Sequence, residues 1–249
     1  MMSISGLYCN PASVLRFWRH TAFEKGIREK QVVVHLSEQL NIAEHDYALA
    51  LYAFGKLCDL PSSISSCLSD VVDGDFDAYS GWTNDVSKHF YALQPRSRVQ
   101  ELFDPIKGKE YEYLIRVCAD KLQNASSVYK HTIDWQQLQT VRTHAHQLEE
   151  LVRSIEVDSS VKGYLLEILE GFDRAIIDCY FGKTMPLLSC SYGSAITFRQ
   201  FAEKNIVDKS QADELWRNFW DICQRAAAII SLSEKAGLLF DNLKNLIEK

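Results

Sequence analysis

Apolar residues recur every three or four positions along most of this chain, and in its second half they form three stripes. The stripes are Leu148, Leu151, Val152 and Ile155, then Leu165, Leu169, Phe172, Ile176 and Tyr180, and then Trp216, Trp220, Cys223, Ala227 and Ile230. This spacing places each set of side chains on one face of an α-helix. The sequence shows no run of alternating polar and apolar residues bounded by turn signals, so we predict no sheet. The chain is therefore expected to be all-α.

The length of the chain sets the scale of the fold. With 249 residues it can bury a substantial core, and its five prolines and 11 glycines suit long helices with short connections. We predict a multi-helix bundle of about 9–11 helices in two packed halves. Polar residues interrupt the pattern near 124–134, so we place an N-terminal helical half at 1–125 and a C-terminal half at 134–249. One compact domain is the alternative.

Local signals suggest where several helices begin and end. Asn10 before Pro11 is typical of a helix start, and Asn41 with Glu44 three residues later has the spacing of a capping box. Pro61 is expected to end the helix that follows Asn41, and 73–83 is expected to be a loop. Gly182, Pro186 and Gly193 predict an irregular stretch before the last helices.

The cysteines and the net charge indicate which cellular compartment and which binding partners to expect. The seven cysteines form no Cys-x-x-Cys pair, which is typical of free thiols in a reducing compartment. The sequence has neither a secretory signal pattern nor a stretch of about 18 apolar residues. We therefore expect a cytoplasmic protein without a membrane span. The net charge of −6 disfavours a general attraction to nucleic acid.

Metal and cofactor motifs fail on spacing. The acidic stretch 73–77 resembles the start of a calcium loop, but Ala78 and Asn84 stand where that loop needs glycine and glutamate. His144 and His146 are two residues apart, so on a helix they diverge by about 200° and do not share a metal. The sequence contains no phosphate-binding glycine loop and no Gly-x-Ser-x-Gly. We predict no metal, no cofactor and no assigned catalytic residue.

Two functions that act on or bind nucleic acid remain open. One is a helical ribonuclease or toxin effector that uses an Arg/His pair, such as Arg142 with His146. That pair is separated by three residues, fewer than the four to six typical of helical ribonucleases. The other is nucleic-acid binding through the basic N-terminal helix, where residues 1–30 carry five basic and two acidic side chains. Its candidate residues are Arg16, Arg19, Lys25 and Arg28.

The stretch from Asp158 to Gly182 combines a polar cap, a Leu-Leu-x-x-Leu core, an Ala-Ile pair, an aromatic residue and a terminating glycine. In these features residues 134–249 resemble small all-helical bacterial proteins of unknown function that are encoded in variable genomic regions, including loci for defence against phage. The resemblance implies an antiviral-defence or toxin-control setting and transfers no catalytic residue.

The function expected from these features is interaction. Wide apolar faces without a convergent polar constellation predict a non-enzymatic accessory protein that binds a protein partner or itself. The apolar C-terminal helices would supply the contact. The candidate partner-binding residues are Trp216, Trp220, Ile230, Leu239 and Phe240.

Overall fold

The computed structural model describes residues 7–24, 26–71, 77–125, 129, 132–206 and 208–230. Ten α-helices account for most of this part of the chain and confirm the all-α prediction. They are α1 (Pro11–Ala22), α2 (Val32–Leu40), α3 (Tyr47–Ser69), α4 (Asp77–Ala92), α5 (Val99–Phe103), α6 (Lys109–Ala125), α7 (Trp135–Ser154), α8 (Ser159–Tyr180), α9 (Met185–Asn205) and α10 (Lys209–Ile230). A 3₁₀ turn spans Asp104–Ile106, and two strands of two residues each, β1 (Leu7–Tyr8) and β2 (Thr132–Ile133), are too short to form a layer.

The described residues divide into two compact units. The N-terminal unit comprises residues 7–132 and 180–183, and the C-terminal unit comprises residues 133–179 and 184–230. The division between residues 132 and 133 falls inside the 124–134 segment. No sequence signal indicated that residues 180–183 would join the N-terminal unit.

The core of the N-terminal unit is built around Trp18 of α1, which is fully buried. Its indole stacks on Phe181, with ring centroids 5.8 Å apart, and meets the edge of the His35 ring at 5.8 Å. Helix α1 begins as predicted, because the Asn10 side chain accepts a hydrogen bond from the Ser13 amide at 2.8 Å and Pro11 follows it. The buried face of α1 thus lies at the centre of the core of this unit.

Two predicted helix boundaries in the N-terminal unit are wrong. Asn41 ends α2 in the left-handed conformation (φ 54°), and Asp46 caps α3 by accepting a hydrogen bond from the Leu49 amide at 3.0 Å. Pro61 lies inside α3, where it is buried together with Ile64. Burial of this apolar segment offsets the backbone hydrogen bond that proline cannot make.

The predicted acidic loop at 73–83 is also shortened. Residues 73–76 lie outside the described residues, but α4 already begins at Asp77 and continues through the rest of the expected loop. Ser80 and Thr83 are buried, and the Thr83 hydroxyl donates a hydrogen bond to the Ser80 carbonyl at 2.6 Å. Helix formation therefore satisfies polar groups that the sequence suggested would face solvent.

The C-terminal unit buries a cluster of phenylalanines. Phe198 of α9 and Phe219 of α10 stack with centroids 4.2 Å apart, and Phe172 of α8 packs its edge against Phe219 at 5.9 Å. The irregular stretch predicted at 182–193 is mostly wrong, because α9 runs unbroken from Met185. Pro186 occupies its first turn, where an amide hydrogen is dispensable, and only Gly182 adopts a left-handed turn (φ 82°).

Within the described part of the chain, no helix combines the length and apolar character that crossing a membrane requires.

Candidate functional site

Two tryptophans form an aromatic ladder on α10. Trp216 and Trp220 are one helical turn apart and half-buried, and their rings stack with centroids 5.5 Å apart and planes 27° apart. The i, i+4 spacing brings the two indoles together on one side of the helix. Each ring keeps part of its surface in contact with solvent, while the neighbouring residues Leu215 and Phe219 are buried in the core.

Helix α9 contributes a cation to this ladder. The Arg199 guanidinium lies over the Trp216 ring, 5.6 Å from its centroid, and its Nε donates a hydrogen bond to Glu203 Oε1 at 2.8 Å. Such a cation–π contact stabilises the pair by about 0.5–1 kcal/mol at an exposed position. The ring and the guanidinium therefore hold each other in a defined orientation.

Helix geometry extends this surface by one apolar residue. The stack of Phe198 on Phe219 and the contact of Arg199 with Trp216 show that α9 and α10 run antiparallel. Ile196 lies one turn before Arg199, and Trp220 lies one turn after Trp216, so the two occupy the same level. Ile196 is 41% exposed. We call Ile196, Arg199, Trp216 and Trp220 the α9–α10 aromatic surface.

The five predicted partner-binding residues differ in their position and burial. It places Trp216 and Trp220 at the surface, but Ile230 is buried near the end of α10. Leu239 and Phe240 lie outside the described residues. Sequence reasoning missed Arg199, because its contact with Trp216 depends on how two separate helices pack.

A second candidate site joins α7 to α8. Arg142 donates hydrogen bonds to both oxygens of Asp173, from Nε to Oδ1 at 2.9 Å and from Nη2 to Oδ2 at 3.1 Å. The same Oδ2 lies 3.1 Å from His146 Nε2. Arg142 and Asp173 are buried, whereas His146 is half-exposed. One carboxylate thus holds a buried guanidinium and an accessible imidazole.

The protonation of this cluster follows from its contacts. Burial alone would raise the pKa of Asp173, but hydrogen bonds from His146 and Arg142 outweigh burial and lower that pKa below its usual value. The hydrogen bond to Asp173 raises the pKa of His146, against the opposing effect of burial. The cluster therefore favours an ionised carboxylate and a protonated imidazole.

The two residues of the Arg142–His146 pair differ in their access to a substrate. Arg142 turns the Nε–Nη2 edge of its guanidinium to Asp173 and is buried, so it is not accessible to a substrate. His144 lines a separate cleft of about 290 Å³ together with Asp221 and Arg225 of α10. Only His146 combines access to solvent with a carboxylate partner.

The structure does not place the candidate nucleic-acid-binding residues on one helix, because α1 ends at Ala22 and Arg28 lies in the turn region beyond it. Arg19 is buried, and it donates hydrogen bonds to the Ile106 carbonyl at 2.6 Å and to the carboxylate of Glu112. Arg16 is exposed and pairs with the same carboxylate at 3.1 Å. Arg28 is exposed and lies over the Phe23 ring. Lys25 lies outside the described residues.

No group of three or more His, Cys, Asp or Glu side chains in the described ranges is arranged to hold a metal ion. In comparisons with known proteins, no family model, curated protein or solved structure matches this chain.

Proposed function

We propose that this chain is a non-enzymatic helical interaction protein whose C-terminal unit binds a protein partner through the α9–α10 aromatic surface. The observation that carries the proposal is the stacked, half-buried pair Trp216 and Trp220, with the Arg199 guanidinium over the Trp216 ring. The resemblance of residues 134–249 to helical proteins of bacterial defence loci supports a cytoplasmic accessory role in defence or toxin control.

The chemistry of this surface is that of a binding hot spot. Tryptophan and arginine are enriched at the centres of protein interfaces, since each buries a large area and keeps a polar group that can be satisfied. The stack and the cation–π contact fix the rings before binding. A partner therefore orders few new side-chain torsions when it docks, which lowers the entropic cost of association.

The test compares a double variant with a matched control. Trp216→Ala with Trp220→Ala removes the ladder, and Tyr113→Ala removes an exposed aromatic ring from the N-terminal unit. We expect the wild type and Tyr113→Ala to bind the same protein from the native host and to retain it after purification. The double variant should bind that protein about 30-fold more weakly or worse.

Self-association is measured in the same samples by analytical ultracentrifugation, and circular dichroism checks that the double variant remains helical. A concentration-dependent mass that disappears in the double variant would identify a second copy as the partner. A strictly monomeric protein that retrieves the same proteins as its double variant would contradict the proposal.

A second candidate function rests on the hydrogen bond between His146 and Asp173. When the imidazole is neutral, its Nε2–H donates to the carboxylate, so Nδ1 carries the lone pair. In a ribonuclease, Nδ1 would accept the proton of a ribose 2′-hydroxyl as that oxygen attacks the adjacent phosphorus. The bond from phosphorus to the 5′-oxygen of the next nucleotide would break, leaving a 2′,3′-cyclic phosphate, and the departing 5′-oxygen would take a proton from water. Arg142 would act as a positioning residue for Asp173.

Overexpression and RNA cleavage test this alternative. His146→Ala should abolish cleavage and any growth inhibition, while His20→Ala, at an exposed position of α1, should leave both unchanged. A positioning role for Arg142 predicts that Arg142→Lys shifts the pH profile of cleavage in addition to lowering its rate. Absence of cleavage and of toxicity in the wild type would dispose of the alternative.

A further inference from the structure

The N-terminal unit buries a histidine whose ring makes no hydrogen bond. His35 lies in the middle of α2 and is 2% exposed. Its ring packs against Trp18 of α1, with centroids 5.8 Å apart and planes 87° apart. Among the described residues, neither ring nitrogen has a hydrogen-bond partner. The imidazole is therefore held by packing, as an apolar ring would be.

The charges nearest to this ring are already paired. In the described part of the chain, the carboxylate that acts on the ring is that of Glu38, and it forms an ion pair with Lys30. Arg19 is the charged residue that α1 buries, and its guanidinium donates to the carbonyls of the 106–108 turn. A proton on the imidazole would therefore enter this core without a counter-ion of its own.

The helices that pack on α2 contribute neutral groups to the same core. The buried residues of α5 are Val99, Leu102 and Phe103. On the buried face of α3 the titratable group is the Cys58 thiol, and burial raises its pKa to about 12, so it stays neutral. The charged side chains of these helices and of the 95–98 segment are engaged elsewhere or exposed: Asp46 caps α3, Lys56 lies over the Tyr52 ring, Asp59 accepts a hydrogen bond from Tyr91, and Arg96, Arg98 and Glu101 are exposed.

Protonation of His35 is opposed in the folded unit. Burial lowers its pKa to about 4, from an ordinary value of about 6.5. Between these two pH values the ring gains a proton only where it becomes exposed to water, so each drop in pH favours the state in which it is exposed.

Helix α2 is short enough to expose this ring as one segment. It has nine residues, too few for an isolated helix to be stable in water. The helix is held by its apolar face and by hydrogen bonds at its ends, where the Val32 amide donates to the Ser97 carbonyl at 2.9 Å. Since His35 belongs to the buried face, a charge on its ring acts on the contacts on which α2 depends. The apolar residues of that face are Val32, Val33, Leu36 and Leu40.

The C-terminal unit has the opposite arrangement. The half-exposed imidazole of His146 contacts the Asp173 carboxylate at 3.1 Å, and this hydrogen bond raises the pKa of His146. The pKa of Asp173 lies below its usual value, so the carboxylate remains ionised at pH 5. Mild acid therefore strengthens the contact between α7 and α8.

We propose that a proton on His35 releases α2 from the N-terminal unit, at a pH at which the C-terminal unit remains folded. Release of α2 uncovers the side of Trp18 that the imidazole covers and exposes apolar core surface there. Exposure of this core is thus controlled by pH. The device does not depend on partner binding by the α9–α10 aromatic surface, which belongs to the other unit.

The test is hydrogen–deuterium exchange of the full chain at pH 7 and pH 5, read by mass spectrometry and expressed as protection relative to the unfolded chain at the same pH. Protection of peptides from residues 32–40 should fall at least tenfold between pH 7 and pH 5, because at pH 5 protonation favours the exposed ring over the buried ring by about 30-fold. Peptides from residues 135–154 in the same sample should change by less than about threefold.

Apolar replacements of His35 remove the response. In His35→Leu the protection of residues 32–40 should be the same at both pH values within about twofold, since no group in this core then titrates between them. His35→Met is a second apolar replacement and should behave in the same way. His20→Gln, at an exposed position of α1, is the matched control and should respond to acid as the wild type does.

A hydrophobic dye gives an independent measurement. At pH 5 the wild type and His20→Gln should bind more 8-anilinonaphthalene-1-sulfonate than at pH 7, whereas His35→Leu should not. Equal loss of protection in residues 32–40 and 135–154 would show unfolding of the whole chain and would overturn the proposal. Unchanged protection of residues 32–40 in the wild type at pH 5, or the same loss in the wild type and His35→Leu, would overturn it as well.

Discussion

Arg142 and Asp173 form a bidentate ion pair although 31 positions separate them in the sequence. Their side chains are only 3% and 12% exposed, so the pair is largely shielded from solvent. The parallel hydrogen bonds fix both the distance and the rotation of α7 relative to α8 at this level. His146 adds a third bond to the same carboxylate and connects the buried pair to the surface.

Breaking this pair from one side should destabilise the protein strongly. Asp173→Asn removes the negative charge that opposes the buried guanidinium of Arg142, and breaking a buried ion pair from one side typically costs about 3–5 kcal/mol. We expect the free energy of unfolding, measured by urea titration, to fall by that amount. Replacing both partners, as in Arg142→Met with Asp173→Leu, should recover most of the loss because no charge then remains buried.

A control for this measurement exists on the same helix. Arg174 and Glu170 form an exposed pair at 3.6 Å, so Glu170→Gln should change the free energy of unfolding by less than about 1 kcal/mol. An Asp173→Asn variant as stable as Glu170→Gln would show that the buried pair does not hold α7 to α8.

The same contacts predict how His146 titrates. The hydrogen bond to Asp173 raises its pKa above the ordinary value of about 6.5. A raised pKa in the folded state stabilises the protein at pH values below the unfolded pKa, and this contribution is lost as pH rises through the folded pKa. NMR titration should find the His146 pKa above 6.5, the ordinary value, and Asp173→Asn should lower it.

His146→Gln provides the corresponding stability measurement. The difference in unfolding free energy between wild type and His146→Gln should be largest at mildly acidic pH and shrink as pH rises. A difference that grows toward alkaline pH would contradict the assigned sign.

The periodic stripes were sufficient to predict helices, since apolar residues spaced three and four positions apart are buried together only when the segment is helical. The stripe Leu165, Leu169, Phe172 and Ile176 lies within α8, and all four residues are buried. Breaker residues were less informative. Pro61 sits inside α3 because tertiary burial outweighs a local penalty, and Asp46 takes the capping role that the spacing of Asn41 and Glu44 suggested.

The candidate sites were less accessible from sequence than the helices. The i, i+4 spacing of Trp216 and Trp220 is visible in the sequence, and it correctly placed both rings on one face. The partners Arg199 and Asp173 belong to other helices, so their contacts depend on packing that periodicity does not encode. The sequence suggested Arg142 with His146 only as an alternative whose spacing differs from that of helical ribonucleases, and it did not indicate the Asp173 carboxylate that both side chains contact.

His35 should make the stability of the N-terminal unit depend on pH in the opposite sense to His146. Burial lowers the pKa of His35 to about 4, and among the described residues neither ring nitrogen has a hydrogen-bond partner. Above pH 6.5 or so the ring is neutral in both states. As pH falls from there toward 4, only the unfolded chain takes up the proton, so stability should fall by up to about 1.4 kcal/mol per pH unit.

His35→Leu removes this titration while keeping an apolar side chain against Trp18. At neutral pH we expect the free energy of unfolding to change by less than about 1 kcal/mol, because no hydrogen bond is lost. Between pH 6 and 4.5 the variant should lose less stability than the wild type, as measured by urea titration at each pH. Parallel pH profiles would mean that His35 is accessible to protons in the folded state.

Arg19 should be the most sensitive basic residue of α1. Its guanidinium donates to the carbonyls of Ile106, Lys107 and Gly108 and to Glu112, so it clamps the turn before α6. Lysine keeps the charge but cannot reproduce the planar fork of donors. Arg19→Lys should therefore lower the free energy of unfolding by about 2–3 kcal/mol, because the buried Ile106 carbonyl and the partly buried carbonyls of Lys107 and Gly108 lose their donors. Arg16→Lys, at an exposed arginine that pairs with the same Glu112, should cost less than about 0.5 kcal/mol. Equal effects of the two substitutions in thermal unfolding would show that the charge on Glu112, and not the clamp on the turn, accounts for the role of Arg19.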